Sequence, residues 1–271
     1  MNPSAPRKYQ QIATVTANQP ETSTCFRLTL SCDGFSHARP GQFVTLHLPG
    51  LLTPLLRRPF SIHRRVKKNS RVIGIEILYK IVGDFTQTLS QAGAGDRIDL
   101  LGPLGNGFTA LTQFKKIILA GGGIGIAPLV FLADALRETG NDLTGAIVCL
   151  GGRTAEDILR PSVFESLGFT VRVTTDDGSA GDQGLVTRTL EKHLAAGRPD
   201  MIYACGPLPM LRAVADIAGK NNLPCELSVE TIMACGLGAC LGCAVNKNET
   251  TGKYQHVCID GPVFDARQFV F

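Results

Sequence analysis

The chain has 271 residues, enough for two or three units at roughly 100 to 200 residues per domain. Hydrophobic residues make up 44% and charged residues 18%, a balance that supplies a full core and excludes wholesale disorder. The net charge of +4 is spread along the chain; its longest basic run, Arg64-Arg65 with Lys67-Lys68, reads as a solvated turn, and with no Trp and four Tyr a nucleic-acid partner is not expected.

The first residues, Met-Asn-Pro-Ser-Ala-Pro-Arg-Lys, contain no apolar segment resembling a signal peptide. The longest charge-free stretch, Ile117 to Ala133, is interrupted by four glycines and Pro128 and falls short of the ~20 apolar residues that span a bilayer. No membrane span is expected, and a cytoplasmic setting follows as an expectation.

Residues 1–110 read as short strands between turn signals, the pattern of a β-barrel or sandwich. The expected strands are Gln10–Thr16, Cys25–Ser31, Gln42–Leu48, Val72–Tyr79 and Arg97–Leu101. Within this unit Arg58-Pro59-Phe60-Ser61 offers a guanidinium and a hydroxyl at a strand edge, groups suited to a diphosphate and to an isoalloxazine. Taken alone, that run reads as an exposed Arg beside a turn Pro, and Tyr79 in Leu78-Tyr79-Lys80 as a packed strand tyrosine.

Residues 111–224 change character. Lys116–Ala120 is a short β-rich run, followed by a glycine loop and a helical pattern from Pro128 to Thr139 closed by Gly140. Then come strand Gly145–Leu150, a helix from Ala155, strand Thr170–Thr174, helix Thr187–Ala196, strand Met201–Cys205 and helix Leu208–Ala218. Strands alternating with helices of this length predict a doubly wound parallel sheet. The loop Gly121-Gly122-Gly123-Ile124-Gly125 lies between a strand and a helix, where backbone N–H groups approach a pyrophosphate. It is not G-x-G-x-x-G, since Ile126 stands at the third glycine's place, and tight strand-to-helix packing is the competing reading. Cys205-Gly206-Pro207 ends a later strand at the edge where such sheets bind ligands; alone, Cys205 reads as a core thiol.

Residues 225–271 form a small third unit. Of nine cysteines, Cys25, Cys32, Cys149, Cys205 and Cys225 are scattered, whereas Cys235, Cys240, Cys243 and Cys258 crowd the C-terminus. The C-x4-C-x2-C spacing followed by a fourth Cys is that of a plant-type [2Fe–2S] cluster. Gly236, Gly238 and Gly242 supply the permissive backbone for a loop that wraps the cluster. The alternatives are zinc, which usually takes two short paired knuckles where this chain has one C-x2-C, and ordinary buried cysteines. Hydride delivers two electrons together and a cluster accepts one at a time, so a nicotinamide site beside a cluster calls for a flavin between them.

These residues together resemble the ferredoxin–NADP reductase superfamily, and within it the electron-transfer subunits of NAD-dependent (class 1B) dihydroorotate dehydrogenases. The likeness covers almost the whole chain. Arg58-Pro59-Phe60-Ser61 and Leu78-Tyr79-Lys80 look like the two flavin segments, and Phe85-Thr86 falls where the family usually has Gly-Thr, so Thr86 is kept and Phe85 departs. Gly102 to Phe108 looks like the segment closing the barrel; Gly121, Gly122, Gly123 and Gly125 with Cys205-Gly206 resemble the nicotinamide signatures; Thr175 to Ser179 with Gly184 fits the subgroup. Glu230, Met233, the four C-terminal cysteines and the run Cys258 to Phe264 match the iron–sulfur module most closely. The resemblance implies an N-terminal FAD-binding β-barrel, an α/β NAD domain and a C-terminal [2Fe–2S] module. It further implies a separate FMN-containing dihydroorotate dehydrogenase catalytic subunit, two of each subunit in a heterotetramer, and a role in pyrimidine synthesis. The rival expectation is a reductase subunit for a sulfite reductase, a hydrogenase or a ferredoxin-linked partner, since those chains share the first two domains.

Overall fold

The computed structural model describes residues 9–50, 55–110, 114–247 and 253–269. Seven strands and one short helix make the N-terminal unit: β1 (Tyr9–Pro20), β2 (Cys25–Ser31), β3 (Phe43–His47), β4 (Arg58–Ser61), β5 (Arg64–Lys68), β6 (Arg71–Lys80), α1 (Asp84–Ser90) and β7 (Arg97–Leu104). They form one antiparallel sheet in the order β4-β3-β7-β1-β2-β6-β5. Strands β4 and β5 stand at opposite ends of that order, yet only Ile62 and His63 separate them in the chain. The sheet therefore curls into a barrel, and Ile62 N–H donates to Gln42 while His63 N–H donates to Glu76. Inside, Val44, Leu46, Leu28, Ile75 and Ile98 pack into one core.

Two of these strands, β4 and β5, and helix α1 lie outside the strands expected from sequence. β5 reads Arg-Arg-Val-Lys-Lys, with no alternation to reveal it, and α1 is only seven residues long. The expectation of a solvated turn at the basic run is corrected here. Arg64 pairs with Asp134, and Arg65 and Lys67 pair with Glu138, all across to the next domain.

The second unit comprises β8 (Ile117–Gly122), α2 (Ala127–Glu138), β9 (Ile147–Gly152), α3 (Pro161–Ser166), β10 (Thr170–Thr175), β11 (Asp182–Gln183), α4 (Val186–Ala196), β12 (Met201–Cys205), α5 (Leu208–Lys220) and β13 (Cys225–Ser228). The helix expected from Ala155 resolves into a single 3-10 turn at Ala155–Asp157 and α3. Arg160 takes φ 59 and Pro161 follows, so no helix runs through. The sheet order is β11-β10-β9-β8-β12-β13-β16, with β16 (Val263–Asp265) the C-terminal strand. From β11 to β13 the pairs are parallel, and β16 adds antiparallel to β13. Side chains alternate between the two faces: Ile117, Leu119, Val148 and Cys205 on one, Ile118, Ala120, Cys149 and Ile202 on the other. Cys149, Cys205 and Cys225 are therefore core residues.

The sheet continues past residue 224 through β13, and the Gly- and Cys-rich segment leaves it after Ser228. That segment carries a small hairpin of β14 (Ala244–Asn246) and β15 (Tyr254–His256) and then returns to the sheet as β16. It also docks on the barrel. Asn106 N–H donates to the Gly261 carbonyl, and the Asn106 amide donates to the carbonyls of Ile259 and Asp260. Among the described residues no helix is long and apolar enough to cross a membrane.

Candidate flavin, nucleotide and iron–sulfur sites

A cleft of about 440 Å³ opens on the barrel between β4 and the start of α1, lined by Arg58, Pro59 and Phe60 and by Val82 to Thr86. Antiparallel pairing with β3 sets the strand side: Thr45 faces Pro59, and Leu46 faces Arg58. Most cations near β4 to β6 are neutralised, Arg57 by Asp99, Arg64 by Asp134 and Lys80 by Asp157. Arg58 has no carboxylate partner among the described residues, and its guanidinium reaches only the Leu56 carbonyl at 3.4 Å. A free, half-buried guanidinium on the wall of a cleft suits a diphosphate. The Thr86 hydroxyl is buried within its own loop, accepting from Val82 N–H and Gly83 N–H and donating to the Gly83 carbonyl. It shapes the loop that faces the cleft. Phe85 packs its ring 6.0 Å from Phe60, which accounts for a large side chain at a position where the resemblance favours glycine.

The remaining flavin candidates stand outside the lining of this cleft, although the Tyr79 ring meets Phe60 edge-on with centroids 6.1 Å apart. Ser61 ends β4 half-buried, with no hydrogen-bond partner for its hydroxyl among the described residues. Leu78 is buried in the core facing the second domain. Tyr79 is 2% exposed, its ring stacked on Phe26 and its hydroxyl donating to Asn18 at 3.2 Å. Burial pushes the Tyr79 phenol up to about 12. Lys80 crosses to the α/β domain, 3.0 Å from Asp157, and lines the nucleotide cleft instead of the flavin cleft.

That second cleft, about 590 Å³, lies at the carboxyl ends of β8, β9 and β12. The chain leaves β8 toward β9 on one side and β12 lies on the other, and open sheets of this kind bind ligands at such a switch point. Gly122, Gly123, Gly125 and Gly206 line it, while Gly121 sits behind. Three of the four loop glycines are there for packing. A Cβ on Gly125 would lie 2.6 Å from the Cys205 carbonyl oxygen, one on Gly122 2.8 Å from Pro207, and one on Gly121 2.7 Å from Ile126. Gly123 differs: its φ is +52 and nothing lies within 4 Å of the place a Cβ would take. Packing thus accounts for three of the glycines, two of which also line the cleft, and open space for Gly123.

Cys205 lies beneath the cleft, 1% exposed, and burial followed by the Glu230 charge pushes its thiol pKa far up, the behaviour of an inert core thiol. Glu230 itself lines the cleft, open to water on one side and enclosed by protein on the others, and that enclosure raises its carboxyl pKa. Asp157 and Asp176 also line this cleft; no glycine or cysteine pattern marks Asp157 in the sequence, whereas Asp176 falls in the Thr175 to Ser179 run.

The C-terminal cysteines stand two and two. Cys243 and Cys258 are buried with their sulfurs 3.3 Å apart. Cys235 Sγ accepts from Leu237 N–H at 3.3 Å and from Cys240 N–H at 3.4 Å, while Cys240 is exposed and its Sγ accepts from Gly242 N–H at 3.5 Å. Burial works against the Cys235 thiolate, but these backbone donors hold its thiol down at about 6. Cys258 is pushed up to about 12 by burial and by the adjacent Cys243 thiol. Among the described residues no three such side chains converge on one ion-sized point. Two pairs of thiols suit two irons, each bound by two thiolates, better than a single tetrahedral zinc. Gly236 and Gly238 take φ +69 and +82 where the loop turns, whereas the third left-handed position is Leu241, φ 59, and not Gly242.

Residues 230–270 match the iron–sulfur cluster binding domain of dihydroorotate dehydrogenase B, and residues 119–216 match the oxidoreductase NAD-binding domain. The chain is 38% identical over 265 residues to the dihydroorotate dehydrogenase B (NAD(+)) electron transfer subunit of Caldanaerobacter subterraneus subsp. tengcongensis, covering 97% of this chain and 100% of that one. It is 40% identical over 248 residues to the subunit of the same name from Geobacillus kaustophilus, covering 90% and 92%. Among solved structures, an NADH-dependent reduced ferredoxin–NADP oxidoreductase superposes with TM-score 0.81 at 30% identity, over 99% of this chain and 91% of that one. A ferredoxin reductase of carbazole 1,9a-dioxygenase shares the fold, with TM-score 0.68 over 82% and 68% at 24% identity. The chain belongs to the family of electron-transfer subunits of NAD-dependent dihydroorotate dehydrogenase B.

Proposed function

We propose that this chain relays electrons between NAD+ and a partner subunit that oxidises dihydroorotate to orotate, with FAD in the barrel cleft, the nicotinamide nucleotide at the β8–β12 edge and a [2Fe–2S] cluster on the four C-terminal cysteines. The observation that carries the reading is the seat of the cysteine loop. A Cβ on Gly236 would lie 3.0 Å from Thr45 Cγ2, and Thr45 pairs across the strand with Pro59 of the flavin cleft. The cysteines and the flavin cleft are thus one strand apart. When bound, the flavin supplies the exchange between two-electron hydride chemistry and single-electron transfer.

The chain's own residues hold and orient. Arg58 offers the uncommitted guanidinium for the FAD diphosphate, and the Thr86 hydroxyl sets the Val82–Gly83 turn opposite it. Gly123, with open space above it, gives the nucleotide pyrophosphate its close approach. Lys80 and Asp157 tie the barrel to the nucleotide domain at the edge of the nucleotide cleft. The exposed side chains of Ile232, Leu237 and Leu241, near the cysteines in sequence, and of Ile259, which stands against Gly238, form an apolar face for the partner subunit. In the full reading that partner is the FMN-containing catalytic subunit, the assembly is a heterotetramer of two and two, and it works in the cytoplasm in pyrimidine synthesis.

The test is anaerobic dihydroorotate-driven NAD+ reduction by the complex recovered on this chain. The Cys240→Ser variant is expected to keep FAD and its bleaching by NADH but to lose dihydroorotate-driven reduction. Arg58→Ala is expected to lose FAD on dialysis. Normal NADH formation by Cys240→Ser refutes the relay order. Bleaching by NADH with no dihydroorotate activity in the wild-type complex would leave the reductase and replace its partner with another redox protein.

A further inference from the structure

Thr45 is 1% exposed, and its Oγ1 has no hydrogen-bond partner among the described residues. Hydroxyls this deeply buried are normally bonded, because an unpaired one loses its water contacts and gains nothing in return. The surroundings explain why the chain itself offers no partner. Val44 and Leu46 turn into the barrel core, so Thr45 shares the opposite face of β3 with Phe43, which lies near Gly236 and belongs to the same core cluster as Cys243, Val257 and Cys258 of the C-terminal module. On that face its strand neighbours are Pro59 and Leu101, neither of which offers a side-chain donor or acceptor. Above it lies Gly236, against the Thr45 methyl and next in sequence to Cys235.

We propose that Thr45 is a positioning residue of the iron–sulfur site: its hydroxyl is held for a hydrogen bond to a sulfur of the cluster. This rests on the [2Fe–2S] reading above and deepens it. Such a bond stabilises the more negative, reduced cluster and so raises its reduction potential. It also gives β3, a strand of the flavin unit, a direct influence on a cluster whose ligands all lie in another part of the chain.

The experiment uses the full chain carrying FAD and its cluster. The cluster midpoint is read by potentiometric titration followed by electron paramagnetic resonance, and the flavin midpoint by absorbance. Thr45→Val keeps the shape and removes the hydroxyl; the expected result is a lower cluster midpoint, an unmoved flavin midpoint, and recovery of the cluster value in Thr45→Ser. Iron should also be lost to a chelator more readily from the Val variant, by roughly tenfold in affinity, the scale of outer-shell substitutions. If Thr45→Val assembles no cluster, thermal melts of the iron-depleted chains decide: Val is then expected to be at least as stable as Thr, because a pairless hydroxyl has been removed. An unmoved cluster midpoint, a shift confined to the flavin, or an iron-depleted Val chain that is less stable than the wild type overturns the role of Thr45. Absence of any [2Fe–2S] signal from the wild-type chain overturns instead the site reading on which it rests.

Discussion

The barrel meets its two neighbours through different chemistry. Toward the nucleotide domain an apolar contact, Leu78 in the α/β core and Phe131 in the barrel core, is accompanied by a set of ion pairs that the other junction lacks among the described residues: Arg64 with Asp134, Arg65 and Lys67 with Glu138, Lys80 with Asp157, and Arg160 with Glu21. In their midst His63 is fully buried, its Nδ1 2.9 Å from the Ala127 carbonyl. Toward the cysteine module the contact is apolar and close, with Phe43 and Leu104 in a shared core, Gly236 on Thr45, and backbone bonds at Asn106. Charged pairs are directional but weaken with salt and pH; packed apolar contacts resist both. The first junction is therefore expected to respond to solution conditions, and the second to respond only to changes of shape.

The largest effect belongs to His63. Burial, with the charges of Arg160, Arg64 and Arg27 added, lowers its pKa to about 3 against the opposing pull of the Ala127 carbonyl. The unfolded chain takes up that proton near pH 6.5 and the folded one does not. Its contribution is thus fully present above 6.5 and is lost as pH falls toward 3. The slope approaches about 1.4 kcal/mol per pH unit once the unfolded imidazole is mostly protonated, roughly 2 kcal/mol in total between pH 6.5 and 4.5. Urea melts over that range, comparing wild type with His63→Asn, measure it: Asn keeps an N–H for Ala127 and has no proton to exclude. Parallel curves would show that the junction tolerates a charge at this place.

The module junction is tested by shape. Gly236→Ala puts a Cβ on the Thr45 methyl at φ +69, and a left-handed non-glycine residue alone costs about 1–2 kcal/mol. Reduced stability and reduced cluster occupancy are expected together, both insensitive to pH and salt. Gly242→Ala is the control, since its φ is not left-handed and the nearest atom is Cys240 Sγ at 3.6 Å. Equal losses in the two variants would mean that the loop, and not its seat on the barrel, sets cluster binding.

The cysteine module was the most legible part of the sequence because spacing is itself the chemistry: four thiols at fixed intervals are recognisable without their surroundings. The α/β alternation was legible for a related reason, since buried parallel strands such as Ile117–Gly122 and Met201–Cys205 are continuous apolar runs. What stayed hidden depends on partners distant in sequence. Arg64, Arg65 and Lys67 look like solvated charge until α2 brings Asp134 and Glu138 to them. Lys80 stands one residue from the buried Tyr79 and serves a different cleft. The glycine loop was recognised as a place, but which glycine answers to packing and which to open space depends on Cys205 and Pro207, some eighty residues away. Thr45 carries no motif at all; only the register of β3 and the fold of the module make it conspicuous.

The smallest expected effect asks whether the charged junction is held by charge. Arg64 grips Asp134 with two bonds, Nε to Oδ2 at 2.6 Å and Nη2 to Oδ1 at 2.8 Å, with the side chains 33% and 15% exposed. Burial raises the Asp134 pKa and the Arg64 guanidinium pulls it back down. Partly exposed pairs contribute about 0.2–1 kcal/mol, and the bidentate geometry puts this one near the upper end. Asp134→Asn preserves the shape and an acceptor oxygen while removing the charge. At low salt it is expected to cost about 1 kcal/mol. In 1 M salt, where the screening length is about 3 Å, the difference from wild type should shrink toward zero. Arg65, which lies over the Phe131 ring at 5.4 Å, gives the same helix a second hold that does not depend on Asp134. A penalty that persists undiminished at high salt would place Asp134 with the shape-determined contacts, and the contrast between the two junctions would then rest on His63 and the remaining pairs of Glu138, Asp157 and Glu21.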